Sequence, residues 1–241
     1  MKKAIATNKP KSADVHSTPS TKREAAFALA GGCRHFHSTA LGERDASVKQ
    51  THAALAQAST AHYTWEGTAK AGELKLGSSV DRQALIQQVV VRAGIENKRF
   101  LKEKVECVLE EMISNALFHA YRDAAGKEKY ARRSTVTLGS TEIITVRFEV
   151  IDKGIFLSVT DQAGTLVFDE VAGSLKRCYG SDTQIQAKEG GAGLGTYMIF
   201  DSVTHLKFDV APGKATTVSC WIADSRSFDP VAFSVNFFQR R

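Results

Sequence analysis

The chain has 241 residues, 43% hydrophobic and 24% charged, a globular composition long enough for one sizeable core. Residues 1–60 hold nine Lys/Arg against four acids, so five of the six net positive charges sit there. The remainder has almost no basic surplus, which argues against direct nucleic-acid binding. Four scattered cysteines with no Cys-x-x-Cys pair support neither a disulfide framework nor a zinc site, and a reducing, cytoplasmic setting is expected.

In chain order, residues 1–65 are rich in Ser, Thr, Ala, Lys and His without a sustained period, and read as a flexible basic extension. Within it, AAFALAGGC (residues 25–33) is short for a secretion signal, follows Glu24, and has Ala30 where a lipoprotein signal prefers a larger aliphatic residue. No run approaches the roughly 20 apolar residues of a membrane span. Order begins with a short alternating strand over residues 73–76. A helix is expected over 80–93, with Ile86, Val89 and Val90 as its buried stripe. A longer helix is expected over 97–121, because Leu101, Val105, Val108, Met112, Ala116 and Ala120 recur every three or four residues. The polar connection over 122–134 contains Lys127, Lys129, Arg132 and Arg133. It reads as a solvated loop, with phosphate contact as the alternative.

The period then changes to two. Residues 144–150 alternate apolar and polar, 152–154 make a turn, and 155–160 return as the second arm of a hairpin. Residues 162–190 read as irregular. A glycine cluster, EGGAGLG, precedes a helix expected over 194–204. A last hairpin pairs 206–210 with 217–222 around Pro212-Gly213. The end of the chain holds Phe228, Phe233, Phe237 and Phe238, which read as packing back onto the domain, with a partner surface as the alternative. Helices with mainly antiparallel hairpins predict an α+β, two-layer α/β sandwich.

Three features bear on chemistry. On the long helix Glu111, Asn115 and His119 lie at i, i+4 and i+8 on one stripe. Asparagine is a poor mid-helix residue, and its oxygen suits Mg²⁺, which binds few protein ligands beside waters and substrate phosphates. A carboxylate one turn earlier can accept a proton from an attacking hydroxyl. The bland reading is a solvated polar edge. Next, Asp161 emerges from a strand before Gln-Ala-Gly164, either as a ligand-reading carboxylate or as a plain turn. Last, glycines ahead of a helix start offer bare amides to phosphate, or a tight turn.

In this order, Glu111-x-x-x-Asn115-Ala with His119-Ala-Tyr121, then Asp161-x-Ala-Gly164, then Gly191-x-Gly193-Leu194-Gly195, resembles the nucleotide-binding motifs of the GHKL ATPase superfamily. The likeness covers about residues 72–224 and is nearest the anti-sigma-factor serine/threonine kinases. It implies a Bergerat, histidine-kinase-like ATPase fold, with a mixed, mainly antiparallel sheet covered by helices on one face. It would leave residues 225–241 as a Phe-rich extension. It further implies Glu111 as general base, Asn115 as Mg²⁺ ligand and Asp161 as reader of the adenine amino group. Gly164, Gly191, Gly193, Leu194 and Gly195 would surround ATP, Thr216 would lie near adenine, and residues 166–189 would form a lid. In the family's first glycine motif Ala163 replaces the first Gly, and Gly164 sits one place before the second.

The implied activity is ATP- and Mg²⁺-dependent phosphorylation of a small antagonist protein in a partner-switching system, with a sigma factor as further partner and a homodimer as the usual assembly. Two alternatives remain at this point. One is a detached histidine-kinase catalytic domain. The other is a non-catalytic nucleotide-binding module that sequesters a partner, its Asp-x-Ala-Gly marking lost turnover.

Overall fold

The computed structural model describes residues 15–18, 21–38, 70–132, 134–151, 154–180, 194–224 and 233–240. The alternating segments build the middle of one sheet. β4 (Ile144–Ile151) and β5 (Gly154–Asp161) form the expected hairpin, with Val146 opposite Val159. β3 (Ala71–Leu76) pairs antiparallel with β4, and β7 (Ala215–Ala223) antiparallel with β5. β6 (His205–Ala211) closes the second hairpin on β7. β8 (Ser234–Gln239) lies parallel to β6, and β2 (His35–Ser38) antiparallel to β8. β1 (Val15–Thr18) runs parallel to β2 at the edge. Among the described residues the eight strands follow the order β1-β2-β8-β6-β7-β5-β4-β3, a mixed and mainly antiparallel sheet.

Among the described residues five helices accompany it: α1 (Lys22–Ala30), α2 (Arg82–Ala93) after a single 3₁₀ turn, α3 (Arg99–Phe118), α4 (Phe168–Gly180) and α5 (Leu194–Ser202). The architecture is α+β, compatible with an α/β sandwich. The anticipated stripe of α3 is buried, and Leu109, Ile113 and Leu117 widen it into a broad apolar face. Met112 of α3 meets Cys220 of β7, with their sulfurs 4.0 Å apart. Phe168 of α4 stands edge-on to Phe237 of β8 at 5.3 Å, and Phe200 of α5 edge-on to Phe233 at 6.0 Å. Fully burying a side chain of this size is worth about 1.5–3 kcal/mol, so these contacts fix the helices on this face of the sheet. The other face carries His205 and Trp221, both buried, with rings stacked at 5.7 Å.

Three stretches differ from the sequence reading. Residues 162–190 were expected to be irregular, yet they contain α4. Its Phe168, Val171, Ala172, Leu175 and Cys178 make a buried stripe, while Asp169 and Glu170 in the first turn and Arg177 in the last complement the helix dipole. Residues 15–18 and 21–38, read as part of the flexible extension, form β1, α1 and β2. Thr21 and Glu24 cap α1 reciprocally: the Glu24 amide donates to Thr21 Oγ1 (3.2 Å) and the Thr21 amide to Glu24 Oε2 (2.6 Å). Ala25, Ala26 and Leu29 then bury its inner face. At the other end, residues 234–239 enter the sheet as β8. Phe233 and Phe237 are buried, as the packing-back reading expected, and Phe228 lies outside the described residues. Among the described residues, no helix is long and apolar enough to cross a membrane.

Candidate functional site

A cleft of about 930 Å³ opens where α3 and α5 meet the ends of β5 and β7. Glu111 and Asn115 line it from successive turns of α3, and His119 from the residue that caps its C-terminus. Asp161 and Thr216 face it from the sheet, and Leu194 and Gly195 from the first turn of α5. Four segments far apart in sequence thus deliver seven polar, apolar or glycine positions that the motifs had singled out. Gly191 and Gly193 lie outside the described residues.

Asp161 ends β5 and is only 6% exposed. Its Oδ1 accepts the amides of Ala163 (2.9 Å) and Gly164 (3.3 Å), so Asp-x-Ala-Gly folds as a turn around the carboxylate. Gly164 does not line the cleft; it makes this turn possible. Its φ is +62°, and a Cβ there would lie 2.1 Å from the Ala211 carbonyl oxygen. Its own carbonyl accepts from Gly213 (3.2 Å), which ties the turn to the β6–β7 hairpin. Burial pushes the Asp161 carboxyl above its ordinary range, opposed by the amides of Ala163, Gly164 and Thr216 and by the Thr216 hydroxyl. That hydroxyl lies beside the carboxylate without a hydrogen bond of ordinary geometry. A carboxylate that accepts the Ala163 and Gly164 amides at Oδ1 keeps acceptor capacity for a ligand donor.

At the other wall, burial raises the Glu111 carboxyl, and the neighbouring Glu110 raises it further; Arg132 and Arg82 pull it back. Glu110 is held by Arg82 at 2.9 Å, and Arg82 also donates to Ser114 (3.1 Å). A half-buried carboxylate with a raised pKa is suited to take up a proton. Gly195 lies directly against it: a Cβ on residue 195 would fall 2.2 Å from Glu111 Oε2 and 3.8 Å from Asn115 Oδ1. The bare backbone at the start of α5 therefore leaves room for the two oxygen-bearing side chains of α3.

No cluster of three or more His, Cys, Asp or Glu exists among the described residues, so side chains alone do not build a metal site there. The Asn115 amide oxygen is of the kind that could hold Mg²⁺, which takes few protein ligands beside waters and phosphates. The sequence reading did not single out Arg82, which as a cation at a helix start looks like any solvated residue. His119 and Arg132 line the same cleft, together with Arg122, Ser174 and Arg177. Lys129 instead pairs with Glu142 at 2.7 Å, and Arg133 lies outside the described residues. No protein-family model matches the chain, and no curated protein matches it in sequence.

Proposed function

We propose that the cleft binds ATP with Mg²⁺, and that the protein is a serine/threonine kinase of the anti-sigma-factor type acting on a small antagonist protein in the cytoplasm. The sheet and its helices are then read as a Bergerat, histidine-kinase-like ATPase fold. One observation carries this reading: Glu111, Asn115, Asp161, Gly195 and Thr216, from four separate segments, converge on one cleft.

In the proposed reaction the substrate hydroxyl oxygen attacks the γ-phosphorus of ATP. A new P–O bond forms as the bond to the β,γ-bridging oxygen breaks, and the electron pair leaves with ADP. Glu111 takes the hydroxyl proton, for which its raised pKa is suited. Asp161, buried and fixed by its turn, accepts from the adenine amine, and Thr216 lies beside it. Asn115 would hold the metal through its amide oxygen. Mg²⁺, when bound, neutralises charge on the phosphates. Leu194 lines the cleft, and Gly195 leaves the wall beside Glu111 bare.

The test is incubation of the protein with labelled ATP, Mg²⁺ and candidate antagonist proteins, beside Glu111→Ala. Label on a serine or threonine, lost in the variant, supports the kinase. ATP binding with transfer to no protein selects a nucleotide-dependent sequestering module. No heat of association with Mg·ATP overturns the reading entirely. Co-purification from the native cell identifies the antagonist and tests for a sigma factor, and light scattering tests for the homodimer.

A further inference from the structure

We propose that Arg132 binds the terminal phosphate of the nucleotide and that His119 and Glu128 position it; this rests on the ATP reading of the cleft. The loop after α3 is a built element. The Asp123 carboxylate accepts the amides of Ala125 and Lys127, both at 2.9 Å, and the Lys129 amide donates to the Tyr121 carbonyl at 3.0 Å. Glu142 gathers the far side, accepting from Lys129 Nζ (2.7 Å), Tyr130 Oη (2.5 Å) and the Gly139 amide (2.9 Å). A loop pinned this way delivers Arg132 to the cleft at a defined place.

The contacts of Arg132 fix a tautomer. Its guanidinium has donors only, so His119 Nε2, to which it donates, must carry the lone pair. The proton then sits on Nδ1, which donates to Glu128 Oε1 at 2.5 Å. Glu128, His119 and Arg132 thus form a directed relay in which a neutral imidazole holds the cation without neutralising it. Two of the other cleft arginines contrast with this. Arg82 is paired with Glu110, and Arg122 lies 3.9 Å from Glu128. Among the described residues no carboxylate forms an ion pair with Arg132.

Burial gives the direction. Asp161 and Thr216 are 6% and 2% exposed, so a base directed to them lies at the cleft floor. Arg132 is exposed, at the rim where the far end of a triphosphate would emerge. A guanidinium fork matches two phosphate oxygens, which an ammonium cannot do.

The experiment is calorimetric titration of the full chain with Mg·ATP and with Mg·ADP. Arg132→Ala should weaken Mg·ATP about tenfold to a hundredfold, with Mg·ADP changed less than about twofold. Arg132→Lys should recover part of the difference, and Glu128→Ala should show a smaller loss in the same direction. Equal losses for both nucleotides, or none, overturn the role of Arg132. A Glu128→Ala variant indistinguishable from wild type overturns the relay. If the wild-type protein binds neither nucleotide, the ATP reading itself fails, a separate outcome.

Discussion

Gly195 stands against Glu111 so closely that a single methyl group on residue 195 would fall 2.2 Å from the carboxylate. The atom it would meet is the end of a flexible side chain, which can swing away at little cost to the fold. Alanine also favours a helix by up to about 1 kcal/mol over glycine. Gly195→Ala should therefore hold or raise the melting temperature while lowering phosphoryl transfer at least about tenfold, because the displaced carboxylate is the proposed proton acceptor. Thermal melts and transfer assays on the same preparation check this. A variant that loses both together would make Gly195 a packing residue only.

Gly164→Ala should behave oppositely. The residue sits at φ +62°, and its Cβ would meet backbone atoms of the β6–β7 turn: Ala211 O at 2.1 Å and Lys214 N at 2.8 Å. Backbone cannot swing aside. A non-glycine residue in this region costs of order 1–3 kcal/mol before any clash is counted. Urea unfolding should show a loss of at least about 2 kcal/mol. Nucleotide affinity should fall as well, because the turn that fixes Asp161 is lost.

The centre of the fold was legible because its signals are local. The alternation in residues 144–150 and 155–160 and the long stripe of α3 each repeat often enough to identify themselves. The candidate cleft was legible only through motif resemblance, since nothing in the spacing of Glu111, Asp161 and Thr216 says that they meet. α4 escaped because Gly173, Ser174 and Gly180 dilute a stripe that is nonetheless present. β1, β2 and β8 escaped for another reason. They are four to six residues long, and β8 is held by pairing with β6, which lies some 30 positions earlier. Such strands are selected by tertiary partners rather than by their own period. The Thr21–Glu24 capping box was readable, but an Ala-rich stretch of nine residues gave no reason to look for a docking site.

Glu111 predicts a pH profile. Burial first, and then Glu110, lift its carboxyl above the ordinary range. A general base works deprotonated, so the acid limb of kcat/KM should lie above the usual carboxylate region. Glu110→Gln removes the like charge and frees Arg82, both of which favour the carboxylate. The limb should then move to lower pH. Glu111→Gln should cut transfer roughly 10²- to 10⁴-fold while ATP still binds. An acid limb that stays in place in Glu110→Gln would assign it to another group.

Lys22 predicts a stability profile. It is buried, and its ammonium caps the end of α5 by donating to the carbonyls of Phe200, Asp201 (2.7 Å) and Val203 (2.8 Å). Burial pushes its pKa down from 10.5 to about 7; Asp201 opposes this and Lys104 adds to it. Between those two values the unfolded chain holds more protons than the native one, so stability rises with pH there. Below about 7 both states are protonated, and the penalty of the buried charge is fully present. The slope from one such group is at most about 1.4 kcal/mol per pH unit. Lys104 and Lys207 are also lowered by burial and remain in a Lys22→Met variant, so the readout is the difference between the two proteins. Urea unfolding from pH 7 to 9.5 should show wild-type stability climbing more steeply than that of Lys22→Met. Parallel curves would mean that the three carbonyls keep Lys22 charged throughout, and that the cap outweighs its burial.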